Sequence, residues 1–239
     1  MTISDETISS LLRGRVVAFT GAGLSVPSGL PTFWGSGGLY EGASAYELAS
    51  PEGFAKNPKL VWDWYKARLR AGLEAKPNPG HLALVHLESI SEEVIIITSN
   101  VDDLHTRAGS RNVYRLHGRI METMCTGCGV VNEISHEQIS SDELPQCACG
   151  AMLRPNVVWF GERPCQSAIE AAITGVQRAS IVLEIGHSGV VSYGFTEYAV
   201  QLGKPVIRIN PDPGELQSGV SVIAESADVA LPRLIALCG

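Results

Sequence analysis

The sequence is short of charge, of basic excess and of long apolar runs, and each shortage excludes a class of function. No apolar stretch approaches the roughly 20 residues that a membrane-spanning helix requires. Charged residues are 18% of the 239, and the net charge is −7. That leaves no basic field to neutralise the phosphates of a nucleic acid or an anionic membrane. The opening stretch, MTISDETISSLL, lacks the basic start and long apolar core of a secretory signal, so residence in the cytoplasm is expected. There is no repeat of fixed period and no low-complexity segment. Nor is there a G-x-S-x-G element or an obvious catalytic Cys–His pairing.

What is present is enough apolar sequence, 45%, to bury one sizeable core. Short strand-like runs at residues 15–20, 94–98, 112–116, 181–185, 205–209 and 228–231 are separated by helical stretches that include 81–89 and 166–178. Strands alternating with helices predict βαβ crossovers, hence an α/β, Rossmann-like, doubly wound and mostly parallel sheet. Residues 2–12 read as a lead-in helix capped by Ser4 or Asp5. Residues 40–76 read as helical and aromatic, with Pro58 suited to a first helical turn. The expected organisation is one domain over 1–239. Within it, 1–36, 81–120 and 155–239 form the large lobe, 37–80 a helical insert and 121–154 a zinc-ribbon module. Ligands of open parallel sheets lie beyond the carboxyl ends of the strands, so the polar loops there should converge on one crevice.

The first of these loops follows VVAFT and carries Gly21, Ala22 and Gly23. Glycine permits the tight turn and the close approach of a pyrophosphate. Val26 stands in the third glycine's place, and an ordinary strand-to-loop turn has the same outline. Cys125-x2-Cys128 and Cys147-x-Cys149, 18 residues apart, have zinc-ribbon spacing, and Gly129 and Gly150 follow two of the four as knuckle turns require. Four thiolates close a tetrahedral Zn²⁺ site, so the metal is expected to be structural; disulfides do not suit the expected compartment. Cys165 and Cys238 fall outside the pattern and read as packing residues. Asn100 and Asp102 offer an amide and a carboxylate that can bind a carboxamide, or can cap the next helix. His117, in a Leu-His-Gly turn, titrates near neutrality and suits acid–base work or a structural role. Tyr65 and Arg68, at i and i+3, share a helix face as a carboxylate receptor or as a solvated aromatic face.

Five separated segments carry a family resemblance: GAGLSVPSGLPTF, GSGGLYEG, TSNVDDLHTRAG, YRLHG and RPNVVWFGE. In this order they resemble the sirtuins, the NAD-dependent protein-lysine deacylases, from about residue 14 to the C-terminus. The resemblance implies NAD as co-substrate, structural zinc in the ribbon and acyl-lysine proteins as substrates; a monomer with no nucleic-acid or membrane partner is expected. It implies His117 as general base. In that family the acyl oxygen attacks the nicotinamide ribose, nicotinamide leaves, and the histidine deprotonates a ribose hydroxyl, so that hydrolysis yields lysine and O-acyl-ADP-ribose. Matched residue by residue, Gly21, Ala22 and Gly23 face the phosphates, and Phe33 covers the nicotinamide pocket beside Trp34. Ser99 stands at the nicotinamide ribose, and Asn100 and Asp102 bind the carboxamide. Gly186, Ser188 and Asn210 lie along the adenosine half.

Val158, Phe160 and Gly161 belong to the segment 157–162 that resembles the strand receiving the substrate peptide by β-augmentation, though a plain buried strand has the same pattern. The Tyr65/Arg68 pair resembles the Y-x-x-R of sirtuins that remove succinyl and malonyl groups. The chain departs from the family at four places: Trp34 for Arg, Ser99 for Gln, His187 for Thr, and Ser192-Tyr193-Gly194 for Tyr-Pro-Ala. Trp34 and Ser99 touch the cofactor's half of the site and keep open an ADP-ribosyltransferase, an NAD glycohydrolase or a non-catalytic NAD or ADP-ribose sensor.

Overall fold

Burial on both faces defines the central strand. In β1 (Arg15–Thr20), Val16 and Ala18 face one side and Val17 and Phe19 the other, and none of the four is more than 5% exposed. A continuous apolar run of this kind is what a parallel strand covered on both faces requires. The computed structural model describes residues 4–33, 38–39, 45–187, 193–215 and 217–239. With β2 (Glu93–Thr98), β3 (Val113–Arg115), β7 (Ile181–Ile185), β8 (Val206–Ile209) and β9 (Val220–Ile223), β1 forms a six-stranded sheet of order β3-β2-β1-β7-β8-β9, every pair parallel. The strand order reverses between β1 and β7. A second, three-stranded antiparallel sheet has order β5-β4-β6, from β4 (Gly118–Cys125), β5 (Val131–Glu133) and β6 (Leu153–Val157).

One face of the large sheet is covered by α1 (Asp5–Arg13), α5 (Pro79–Ile90) and α10 (Ala227–Ala236), whose Leu12, Leu84, Leu87 and Leu231 are fully buried. Each such side chain contributes about 1.5–3 kcal/mol. The other face carries α8 (Gln166–Arg178) and α9 (Phe195–Gln201). Above the sheet, α2 (Ala45–Leu48), α3 (Pro51–Lys56) and the long α4 (Pro58–Glu74) pack with the small sheet through Phe54, Trp62, Tyr65, Leu69 and Trp159. Trp62 Nε1 donates to Leu153 O at 2.9 Å, and Lys66 Nζ donates to Ser141 O and Glu143 O, which ties α4 to the cysteine-bearing segment. The short α6 (Leu104–Ala108) follows β2, and α7 (His136–Ser140) lies between the cysteine pairs.

Two sequence expectations are corrected. Residues 228–231 are helix, not strand: they lie in α10, where Ala227, Ala230, Leu231, Leu234 and Ile235 recur every three or four residues on the face turned to the core. The sheet's last strand is instead β9, a half-buried edge whose VSVI gives no strong apolar run. The regular strand of the 157–162 segment also ends early, at Val157. Beyond it Val158 N donates to His117 O at 2.9 Å and Phe160 N to Ala49 O at 2.8 Å, and Gly161 takes φ +86° in a turn.

Candidate active site

The loops after β1 and β7 grip each other at the point where the strand order reverses. Gly21 N donates to Ile185 O and Gly23 N to Gly186 O, both at 2.9 Å. A Cβ on Gly21 would stand 2.7 Å from Gly186 O, and one on Gly23 would stand 2.7 Å from Gly186 Cα. Gly186, at φ +61°, has room for no side chain either, because its Cβ would meet Leu24 N at 2.4 Å. The glycines are therefore required first by one another. Among the described residues, the N–H groups of Gly21, Gly23, Leu24 and Ser25 are bonded to protein carbonyls and that of Ala22 is left uncommitted.

Over these loops opens a cavity of about 620 Å³, within the range of small-molecule sites. Its sheet side is lined by Gly21, Ala22, Gly23, Ser99, Asn100 and His117, and its far end by Gly186, His187, Asn210 and Asp212. The helical side brings Phe33, Tyr65 and Arg68, and the segment after β6 brings Val158, Trp159, Phe160 and Gly161. Trp34 and Ser188 lie outside the described residues. Asp102 is not among the lining residues. It lies part-buried below the wall, where its Oδ2 accepts from Ser25 Oγ (2.9 Å) and its Oδ1 from Leu104 N (3.0 Å) at the first residue of α6. Burial pushes its carboxyl pKa up, against the opposing Leu104 and Ser25 donors.

Asn100 is 3% exposed, and its Nδ2 donates to Gly21 O at 3.0 Å, so its Oδ1 is the atom left to accept. The geometry of His117 is equally restrictive. Nδ1 lies 3.0 Å from Ser99 O, which can only accept, so Nδ1 carries the proton and Nε2 presents a lone pair. Tyr193 Oη stands 2.7 Å from that Nε2. Burial lowers the His117 pKa below its ordinary value; the Ser99 carbonyl raises it and the neighbouring His187 adds a lowering. His187 is itself lowered, chiefly by burial, and its carbonyl accepts from Asn210 Nδ2 at 2.8 Å.

At the helical end the Arg68 guanidinium lies 4.4 Å from the ring centroids of both Phe33 and Trp64. Tyr65 is 2% exposed, and its hydroxyl accepts from Trp159 Nε1 at 2.9 Å. Burial raises the Tyr65 pKa and keeps the phenol neutral. Trp159 is in turn held by the bidentate Arg154–Glu162 pair: Arg154 stacks 3.4 Å from its ring centroid and Glu162 Oε2 accepts from its backbone N–H. Trp159, His187 and Tyr193 were not among the expected site residues. The last two were visible in the sequence only as departures from the family pattern.

The four ribbon cysteines form a separate cluster with all Sγ atoms within 4.8 Å of one another. Cys125 and Cys149 Sγ are 3.4 Å apart and Cys128 and Cys147 Sγ 3.8 Å apart. Tetrahedral Zn–S bonds of about 2.3 Å demand S···S separations of about 3.8 Å, so the donor set fits zinc. The N–H groups of Gly127 and Cys128 point at Cys125 Sγ, and with Cys128 foremost these donors lower its thiol pKa to about 6. Gly129 and Gly150 have φ +72° and +87°, the knuckle-turn conformation. Cys238 is buried as expected; Cys165 is exposed and is not a packing residue.

Comparison with known proteins agrees with this geometry. The Sir2 family profile matches residues 21–193. An NAD-dependent protein deacylase of Pyrococcus furiosus is 44% identical over 231 residues, covering 92% of this chain and 91% of its own. A Sir2 homologue mutant in complex with ADP-ribose superimposes with TM-score 0.90 at 36% identity, over 99% of this chain and 96% of that one. A Sir2 homologue–NAD complex gives TM-score 0.85 at 36% identity, over 98% and 93%.

Proposed function

The chain belongs to the Sir2 family, and on that premise we propose that it removes acyl groups from protein lysines with NAD as co-substrate, giving nicotinamide, O-acyl-ADP-ribose and the free lysine. The observation that carries this is the His117 tautomer: a neutral imidazole whose basic nitrogen faces Tyr193 Oη at the wall of a cavity that also holds the glycine loop and Asn100. Ala22 N–H and the loop glycines lie against the phosphates, which need close backbone approach more than a side-chain cation. Asn100 Oδ1 accepts from the nicotinamide carboxamide. Asp102 acts through Ser25, bracing the loop rather than touching the ligand. Ser99 stands at the nicotinamide ribose, and Gly186 and Asn210 along the adenosine half. His117 is the base that drives deprotonation of a ribose hydroxyl after nicotinamide has left, a step for which positioned bases contribute about 10²–10⁴ in rate.

The acyl-lysine enters between Phe33 and the 158–161 segment, whose backbone groups suit an extended peptide with little sequence preference. Tyr65 and Arg68 then face the acyl group. A carboxylate at its end gains a charge-assisted hydrogen bond of about 1.5–3 kcal/mol, so succinyl or malonyl lysine is favoured over acetyl by roughly 10- to 100-fold. The zinc is structural: four protein thiolates leave no open position. The acting unit is taken to be the monomer, and a four-thiolate metal site suits a reducing compartment such as the cytoplasm. Incubating matched acetyl-lysine and succinyl-lysine peptides with and without NAD, read by mass spectrometry, tests the proposal. NAD-dependent loss of acyl mass with formation of O-acyl-ADP-ribose is expected; both peptides unchanged, with NAD intact, would refute it.

A further inference from the structure

We propose that Tyr193 is a second catalytic group of the acyl-transfer half-reaction, its phenol relaying the ribose hydroxyl's proton to His117. The inference rests on the deacylase reading above. It follows from donor and acceptor accounting around one imidazole. Ser99 O accepts from His117 Nδ1, so the single lone pair of Nε2 must accept from Tyr193 Oη at 2.7 Å. The lone pair that the substrate would otherwise meet is thus already engaged. What the chain Ser99–His117–Tyr193 offers to the cavity is the phenol oxygen, with its lone pairs free to accept. Both His117 and Tyr193 line the cavity wall.

The phenol is held for this task. Its ring packs 5.9 Å from Phe195, which is stacked at 5.1 Å and 8° on Phe19 of β1, so the hydroxyl is referenced to the sheet itself. Burial raises the Tyr193 pKa, which keeps the phenol protonated and donating at neutral pH. The step balances. The ribose O–H bond breaks and its proton goes to Tyr193 Oη while the phenol's own proton crosses to His117 Nε2. The electron pair left on the ribose oxygen forms the new bond to the acyl carbon, and the π pair of that carbon's bond to the lysine nitrogen moves onto nitrogen. The resulting imidazolium is stabilised by its Nδ1–H bond to Ser99 O, and the same path returns a proton to the departing amine.

Tyr193→Phe keeps the ring and its packing on Phe195 and removes only the relay. Nicotinamide leaves before this step, so exchange of labelled nicotinamide into NAD in the presence of acyl peptide reports binding and folding independently. We expect Tyr193→Phe to deacylate roughly 10- to 100-fold more slowly than wild type while exchange changes less than about twofold. The double variant with His117→Ala should be no slower than His117→Ala alone, because two members of one relay are not additive. Deacylation by Tyr193→Phe at or above the wild-type rate would overturn the proposal and make the phenol a removable cap. Parallel loss of exchange and deacylation would also overturn it, assigning a binding or packing role. A wild type with no NAD-dependent deacylation would overturn the underlying functional reading as well.

Discussion

At the scale of single residues, the chemistry depends on which atoms are already committed. His117 can be a base because a carbonyl occupies Nδ1, and because burial resists its protonation. A base must be neutral to act, and a lowered pKa keeps it neutral to lower pH. The acidic limb of kcat/KM, which reports the free enzyme, should therefore fall below the ordinary imidazole value of about 6.5; a midpoint at or above that value, read from a pH–rate profile, would contradict the assigned environment. The selectivity proposed for Arg68 is visible only in comparison between substrates. Replacing it by Met keeps length and apolar contact with Phe33 and Trp64 but removes the charge. The succinyl-to-acetyl ratio of kcat/KM should drop by about 10- to 100-fold, mostly through the succinyl substrate. Equal losses on both peptides would mean that Arg68 only supports packing.

At the scale of elements, the site is a consequence of two loops that interlock where the sheet changes direction. Gly23→Ala forces a Cβ to within 2.7 Å of Gly186 Cα, a backbone atom that cannot turn aside, so the loops must part. The cost should be roughly 1–3 kcal/mol of stability, with NAD binding lost by titration calorimetry. Asn78 performs the corresponding task from the helix side. Its Oδ1 accepts from Gly80 N at 2.9 Å to cap α5, while its Nδ2 donates to Leu24 O at 2.7 Å and Ser28 Oγ at 2.9 Å in the loop after β1. Asn78→Ala should cost about 1–2 kcal/mol and raise KM for NAD more than it lowers kcat. A variant with unchanged KM would show that the loop holds its shape without the helix.

At the scale of the whole molecule, two features set the conditions under which it persists. His81 and His105 are both fully buried, ring centroids 5.1 Å apart, with His81 Nε2 and His105 Nδ1 lacking protein partners among the described residues. Burial holds His81 down to about 4 and His105 well below its ordinary value. The unfolded chain binds these protons first, so stability is complete above about pH 6.5 and declines as the pH falls toward 4. For His81 alone the loss is on the order of 3 kcal/mol. Thermal melts of wild type should lose Tm across that interval, and His81→Asn should flatten the dependence; an identical slope in the variant would place the acid sensitivity elsewhere. Zinc on the four thiolates would hold the β5-β4-β6 sheet and its knuckles together, and Trp62 and Trp159 are buried in the core shared with that sheet. A strong chelator should lower Tm and change tryptophan fluorescence. An unaltered melt after confirmed metal removal would show that this small sheet folds without it.

Much of this protein is set by local sequence. The continuous apolar run of 15–20, its glycine turn, the capped and periodic helices and the cysteine spacing each specify their own structure through short-range chemistry, and together they give the α/β class and the zinc-type cluster. Motifs carried by consecutive residues, such as the glycine loop and the Leu-His-Gly turn, were legible for the same reason. Where the window was too short, sequence misjudged: 228–231 alone has the apolar density of a strand, and the helical recurrence shows only when 227–235 is taken whole, the face that packs on the core. Tertiary structure alone decided which atoms were spoken for. It turned Asp102 inward to Ser25 and Leu104, joined Trp159 to Tyr65 across 94 positions of sequence, and set Tyr193 against His117 across 76. Hydrogen-bond commitment is a property of space, because a donor's partner is whichever acceptor the fold brings within about 3 Å, and no spacing along the chain encodes it.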